Sequence, residues 1–298
     1  MPLDLKRMTL SKFLVLESKD FNWDELTFEQ TKIKHRELTR KWMSENQEFE
    51  GSMKQHYKEV TGEEYHDNKE AIYDGYSDHY SEKIYVFSNK VVDVKKELQK
   101  IIYKEEDLDK IRKGVENKSI LGFIGHLGGM EFIPTFFADL GIPVTVMLRF
   151  KSDLARKMAQ EQIERYEGLD FNMIDVGGEL YRNFRKFLTE KRLLITVFDG
   201  FDNWQINRKS EQVSFAGRDI LLDSTPKRLH SLTGKGSVYY LSMIRKGNEY
   251  HLNVEEIPAE ESEGLPTEIY SRWSDSVLTN PNQWYIWDEV EELFEIEQ

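Results

Sequence analysis

Between residues 119 and 257, short apolar runs alternate with longer amphipathic stretches, and this rhythm restricts the fold more than any other feature of the chain. SILGFIG (119–125), IPVTVMLRF (142–150), DFNMIDV (170–176) and RLLITVFDG (192–200) read as strands. MEFIPTFFADLG (130–141), DLARKMAQEQIERYEG (153–168) and ELYRNFRKFLTEK (179–191) read as the helices between them. TPKRLHSLTG (225–234) predicts a further helix, with Ser224 or Thr225 as cap and Pro226 in its first turn. GSVYYLSMIRKGNEYHLNVEEI (236–257) predicts two strands around a Gly-Asn turn. Strands alternating with helices imply βαβ units, hence an α/β domain with a mostly parallel central sheet flanked by helices.

The first part of the chain has a different texture. Residues 1–110 are polar, aromatic-rich and dense in Lys and Glu, and are expected to form a helical extension packed on the main domain at 111–298. TFEQTKIKHRELTRKWMSENQEFEG predicts a helix ending near Gly51. VVDVKKELQKIIYKEEDLDKIRKGVENK predicts one or two more, with Gly114 as a stop. Between them, residues 65–87 read as a loop with a short strand. The C-terminal stretch from TEIYSRWSDSV to WYIWDEVEELFEIEQ reads as helical and acidic at its end.

Composition excludes several functions. The net charge of −13 over 298 residues argues against a general nucleic-acid binder. With no cysteine there are no disulfides, thiolate metal sites or Cys nucleophiles. No window reaches roughly 18 uninterrupted apolar residues and the N-terminus lacks a signal-peptide pattern, so the expected location is cytoplasmic, soluble or peripheral on the inner membrane. There is no G-x-G-x-x-G, no Gly-Lys-Ser/Thr and no G-x-S-x-G.

The chemistry concentrates at SILGFIGHLGGMEF. In an open α/β sheet ligands sit beyond the carboxyl ends of the strands, which places His126 at that edge. Gly125, Gly128 and Gly129 permit a tight backbone and, at 128 and 129, close approach of a substrate. Glu131 falls in the first turn of the next helix, where its carboxylate is expected to reach back to the His126 ring. A carboxylate on one imidazole nitrogen fixes the tautomer and leaves the other as proton acceptor. Backbone amides at the helix start are expected to help stabilise an oxyanion. Taken alone, such a pair is more often a turn histidine beside a glutamate favoured by the helix dipole.

The context is larger than the pair. GHLGGMEF with its leading strand resembles the H-x4-D/E motif of the lysophospholipid acyltransferase superfamily, most nearly the lipid A biosynthesis acyltransferases of lauroyl/myristoyl type. VTVMLRF, LLITVFDG, VSFAGRDILLDSTPKRLHSLTG and NPNQWYIWDEV are similar to later segments of that family, so the resemblance spans roughly residues 110–290. It implies a glycerolipid-acyltransferase-like fold and transfer of an acyl group from a thioester donor, acyl carrier protein or coenzyme A, to a hydroxyl or amine of a lipid or small-molecule acceptor. It implies no permanently bound cofactor and no metal. His126 would be the general base and Glu131 its orienting carboxylate, Arg149 would meet an anionic group, and Gly217 would lie in a substrate loop. The chain lacks the family's anchoring apolar helix and its basic tail, which suggests a soluble or peripheral relative with another acceptor, including a small metabolite taking an aminoacyl or short acyl group. A non-catalytic lipid- or partner-binding relative is the remaining alternative.

Other residues carry weaker signals. Asp199 ends an apolar strand at the active edge, where substrate contact and a plain turn role are evenly matched. Arg208, Lys209 and Arg218 surround a predicted loop and form a candidate anion site for phosphopantetheine or phosphate, although solvated charge is the commoner explanation. His66, Asp67, Asp78 and His79 match no compact metal motif and read as exposed loop residues. His230 reads as structural, and His35, His56 and His251 carry no signal. Trp273, Trp284, Tyr285 and Trp287 read first as core packing and second as a wall for an acyl chain.

Overall fold

A computed structural model describes residues 25–87, 91–148, 153–166, 168–175, 190–199, 210–223, 225–258 and 264–287, together with Leu10, Phe13, Asn22 and Val290. The helices α1 (Phe28–Glu45), α2 (Gln47–Thr61), α3 (Tyr65–Phe87) and α4 (Val91–Leu98) precede a two-residue strand β1 (Ile101–Ile102) and α5 (Glu105–Asn117). The α/β part follows as β2 (Ile120–Ile124), α6 (Phe132–Asp139), β3 (Val144–Leu148), α7 (Asp153–Arg165), β4 (Phe171–Asp175) and β5 (Leu193–Val197). Then come β6 (Ser210–Phe215), β7 (Arg218–Asp223), α8 (Thr225–Leu232), β8 (Val238–Lys246), β9 (Glu249–Ile257), α9 (Leu265–Thr279) and a 3-10 turn, Pro281–Gln283.

The fold is α/β with a seven-stranded sheet in the order β1-β9-β8-β2-β5-β3-β4. β8, β2, β5, β3 and β4 run parallel. β9 turns back antiparallel to β8 and carries β1 at the edge. β2 is central and buried at all five positions, which is why its sequence is a continuous apolar run rather than an alternating one. β9, nearer the edge, alternates instead, burying Tyr250, Leu252 and Val254. The expected helices at 130–141, 153–168 and 225–234 are present, each trimmed by one to a few residues. The helix expected at 179–191 and the end of the C-terminal stretch lie outside the described residues.

Three local expectations are corrected. Residues 65–87 form one 23-residue helix, not a loop with a strand. Its periodicity is blurred because most of its faces are covered: Ile72, Tyr73, Tyr76, Ser77, His79, Ser81, Glu82, Tyr85 and Val86 are all buried. Ser77 and Ser81 satisfy their hydroxyls on the carbonyls one turn back. Gly51 and Gly114 lie inside helices; the left-handed cap that ends α2 is Gly62, φ +73°. Part of the loop predicted around 207–218 is the β6–β7 hairpin, closed by Ala216 and Gly217, both at positive φ as a type I′ turn requires.

The early helices pack on the sheet domain and on its C-terminal segment. α1 starts with a reciprocal capping box between Thr27 and Gln30. His35 of α1 joins α3 through Nδ1, 2.9 Å from Ser81 Oγ. At Gly75 the backbone of α3 meets the 3-10 turn so closely that a Cβ would stand 2.1 Å from the carbonyl oxygen of Asn282.

Two stability predictions follow from these contacts. Gly75→Ala should destabilise the fold by about 1–3 kcal/mol, read as a lower denaturation midpoint, because backbone rather than a pliable side chain must yield. Burial lowers the His35 pKa from 6.5 to about 4. The unfolded chain therefore binds a proton at His35 between these values that the native chain does not, so stability is lost as pH falls from about 6.5 to about 4, by roughly 3 kcal/mol. Denaturation curves at pH 7.5, 5.5 and 4.5 should show this decline, and His35→Gln should flatten it.

Candidate active site

The register of the two central strands builds the site. β2 and β5 pair in parallel, Ile124 against Val197 at their carboxyl ends, and the Phe198 amide still donates to the Ile124 carbonyl. Two residues further along each chain bring His126 opposite Asp199. The pairing that holds the sheet together thus delivers an imidazole and a carboxylate to the same point on the active edge.

Asp199 is fully buried and organises everything around it. Its Oδ1 lies 2.6 Å from His126 Nδ1. The backbone amide of His126 donates to both carboxylate oxygens, at 2.8 and 3.0 Å, and Trp284 Nε1 donates to Oδ2 at 3.3 Å. A carboxylate in this arrangement accepts, so Nδ1 of His126 carries the hydrogen and Nε2 carries the lone pair. The His126 side chain keeps 25% of its exposure.

The carboxylate hydrogen-bonded to the ring is therefore Asp199, and not Glu131 as the local spacing suggested. Glu131 caps the start of α6, retains 14% exposure, and points its Oε1 to within 3.8 Å of His79 Nε2. Burial raises its pKa, with Lys83 and His126 acting in the opposite direction. His79, expected on an exposed loop, is 3% exposed on α3. Its ring stacks on Tyr285 with centroids 3.4 Å apart, and Tyr285 meets the His126 ring edge-on at 5.5 Å. Desolvation drives the His79 pKa well below the ordinary imidazole value and the Tyr285 pKa well above the ordinary phenol value.

The glycines make room for protein, not for substrate. A Cβ on Gly125 would meet the Trp273 ring at 2.7 Å, one on Gly128 the Met243 carbonyl oxygen at 1.9 Å, and one on Gly129 the Tyr250 ring at 2.7 Å. The turn is also tied down through its amides: Leu127 donates to Gly125, Gly128 to Gln283 and Gly129 to Met243. With His126 bound to Asp199, every amide from 126 to 129 is engaged within the protein, and at the helix start Phe132 and Ile133 donate to Gly129 and Met130.

A second buried layer supports the turn. Arg245 of β8 donates through Nε and Nη2 to Glu82 of α3, at 2.5 and 2.8 Å, and through Nη2 to the Gly128 carbonyl at 2.8 Å. Tyr250 adds its hydroxyl to Glu82 at 3.1 Å. Gly217 occupies the β6–β7 turn, and Arg218 pairs with Glu59 of α2 at 3.2 Å. Arg149, Arg208 and Lys209 lie outside the described residues. Trp273, Trp284 and Trp287 are buried core, and among the described residues no group of acidic or histidine side chains has the form of a metal site.

Sequence reasoning missed His79 and Tyr285. His79 had a readable signal: Ile72, Tyr76 and His79 follow the i, i+4, i+7 spacing of one helical face. No protein-family model matches the chain, and comparison with curated proteins finds no match.

The hydrogen-bonding of Asp199 specifies one tautomer of His126. Nitrogen NMR should find Nδ1 protonated and Nε2 unprotonated in the neutral ring, and Asp199→Asn should abolish that bias.

Proposed function

We propose that this protein is an acyltransferase in which His126 is the general base and Asp199, not Glu131, is the carboxylate that orients it. The observation that carries the reading is the 2.6 Å contact between His126 Nδ1 and a fully buried Asp199 at the carboxyl edge of a parallel sheet, on a ring that keeps a quarter of its exposure. The resemblance of GHLGGMEF and the later segments to the lysophospholipid acyltransferases supplies the reaction class.

In the proposed reaction an acceptor hydroxyl or amine gives its proton to His126 Nε2 and its lone pair to the carbonyl carbon of a thioester. Asp199 stabilises the imidazolium as it forms. The tetrahedral oxyanion then collapses, the C–S bond breaks, and the leaving thiolate takes the proton back from Nε2. The products are an ester or amide and a free thiol, with no covalent enzyme intermediate. The donor would be acyl carrier protein or coenzyme A carrying the acyl group, and the acceptor a lipid or a small molecule. Among the described residues no helix is long and apolar enough to cross a membrane.

His126→Ala should lower turnover by about two to four orders of magnitude, the usual weight of a general base. Asp199→Asn should cost a comparable share, and Glu131→Gln distinctly less, because Asp199 and not Glu131 holds the ring. Thiol release from acyl-coenzyme A and acyl-pantetheine, with mass spectrometry of the acylated product, measures all three. Equal rates for wild type and His126→Ala would remove the base from the mechanism.

A further inference from the structure

An acyl transfer through a tetrahedral oxyanion needs a hydrogen-bond donor at the place where the negative charge develops. Residues 126–129 of the turn that carries His126 do not offer one from their backbone. The amides of His126, Leu127, Gly128 and Gly129 donate to Asp199, Gly125, Gln283 and Met243 respectively. The next amides known to donate, those of Phe132 and Ile133, close the first turn of α6 on Gly129 and Met130. Beyond the amides of Met130 and Glu131, a side chain beside the imidazole is the other source of a donor for the oxyanion.

Tyr285 meets that requirement. Its backbone amide donates to the His126 carbonyl at 3.3 Å, so it is tethered to the base by the main chain as well as by the ring contact at 5.5 Å. Its ring is clamped face-on by His79 at 3.4 Å with an interplanar angle of 11°. The residue is 3% exposed, and its hydroxyl is buried with no hydrogen-bond partner among the described residues. An unpaired buried hydroxyl ordinarily costs about 1–3 kcal/mol, and such a group in a folded protein calls for an explanation, of which a catalytic role is one. A hydroxyl held without a partner next to a base is what a site leaves when its acceptor arrives with the substrate.

We propose that the Tyr285 hydroxyl is the oxyanion donor of this site, presented by the stacked His79 ring and free of any competing acceptor until the thioester carbonyl binds. The assignment rests on the acyl-transfer reading and adds a second catalytic group to it. Burial keeps the phenol protonated well above neutral pH, so the donor is available wherever His126 is neutral.

The test compares wild type, His126→Ala and Tyr285→Phe, with octanoyl- and palmitoyl-coenzyme A and palmitoyl-pantetheine as probes. Thiol release is read with a chromogenic disulfide, and the chain contributes no background because it has no cysteine. Tyr285→Phe keeps the ring stacked on His79 and removes only an unpaired hydroxyl. It should lower kcat by about 10²- to 10³-fold, the usual weight of one oxyanion donor, leave KM within about twofold, and melt at or above the wild-type temperature. If Tyr285→Phe turns over within about threefold of wild type while His126→Ala is inactive, the donor assignment is wrong and acyl transfer stands. A Tyr285→Phe protein that melts well below wild type would equally overturn it, by showing that the hydroxyl serves the fold. Probes left intact by wild type, or cleaved equally by His126→Ala, would remove the acyl-transfer reading itself.

Discussion

A single buried carboxylate ties together the three chain segments that make the candidate site. Asp199 follows β5, accepts from the ring and the backbone of His126 after β2, and accepts from Trp284 beyond the 3-10 turn. A carboxylate out of contact with water is costly unless donors surround it, and here the donors come from residues 73 and 85 positions away in sequence. Folding therefore cannot bury Asp199 without also setting His126 and Trp284 in place. The geometry of the candidate site is a by-product of satisfying one carboxylate.

The layer behind it works on the same principle. Arg245 is nearly buried and spans from Glu82 on α3 to the carbonyl of Gly128 in the His126 turn. Removing either member of such a pair leaves an uncompensated charge in the interior, so the pair holds α3 against the sheet more by what its loss would cost than by what it adds. Gly75 and Tyr57 make the same connection from the other side. Gly75 admits the backbone of Asn282, and Tyr57 donates to the Asn282 side chain at 3.2 Å. The helices before residue 100 thus reach the site through the 3-10 turn and the loop after it, the segment that carries Trp284 and Tyr285.

What could be read from one sequence follows from the range of the interactions involved. The strand–helix order was legible because mostly buried parallel strands are nearly continuous apolar runs, a local property of β2, β3 and β5. His126 was legible because it interrupts such a run beside three glycines. Its partner was not, since a local reading reaches Glu131 five residues on, whereas the pairing that brings Asp199 near is between strands some 70 residues apart. The glycines misled for a related reason: a missing side chain is equally visible in sequence whether substrate or protein fills the space, and here Trp273, Met243 and Tyr250 fill it. His79 was hidden because α3 is covered on most of its surface, which erases the polar face that marks an ordinary amphipathic helix.

The buried neighbours of His126 also decide which charges the site contains. Desolvation pushes His79 toward neutral imidazole, Glu131 toward the neutral acid and Tyr285 toward neutral phenol. A protonated His79 would repel a proton arriving on His126, and an ionised Tyr285 would repel a developing oxyanion. Suppressing both charges leaves the imidazolium to be stabilised by Asp199 alone, at hydrogen-bond distance and in a setting where water competes little. A base arranged this way takes up a proton when a nucleophile supplies one beside Nε2. In the proposed transfer Asp199 would hold the Nδ1 hydrogen throughout, and only Nε2 would change state. Reversible protonation at one nitrogen is what the proposed two-step transfer would require, since a proton taken from the acceptor in the first step would have to reach the leaving thiolate in the second.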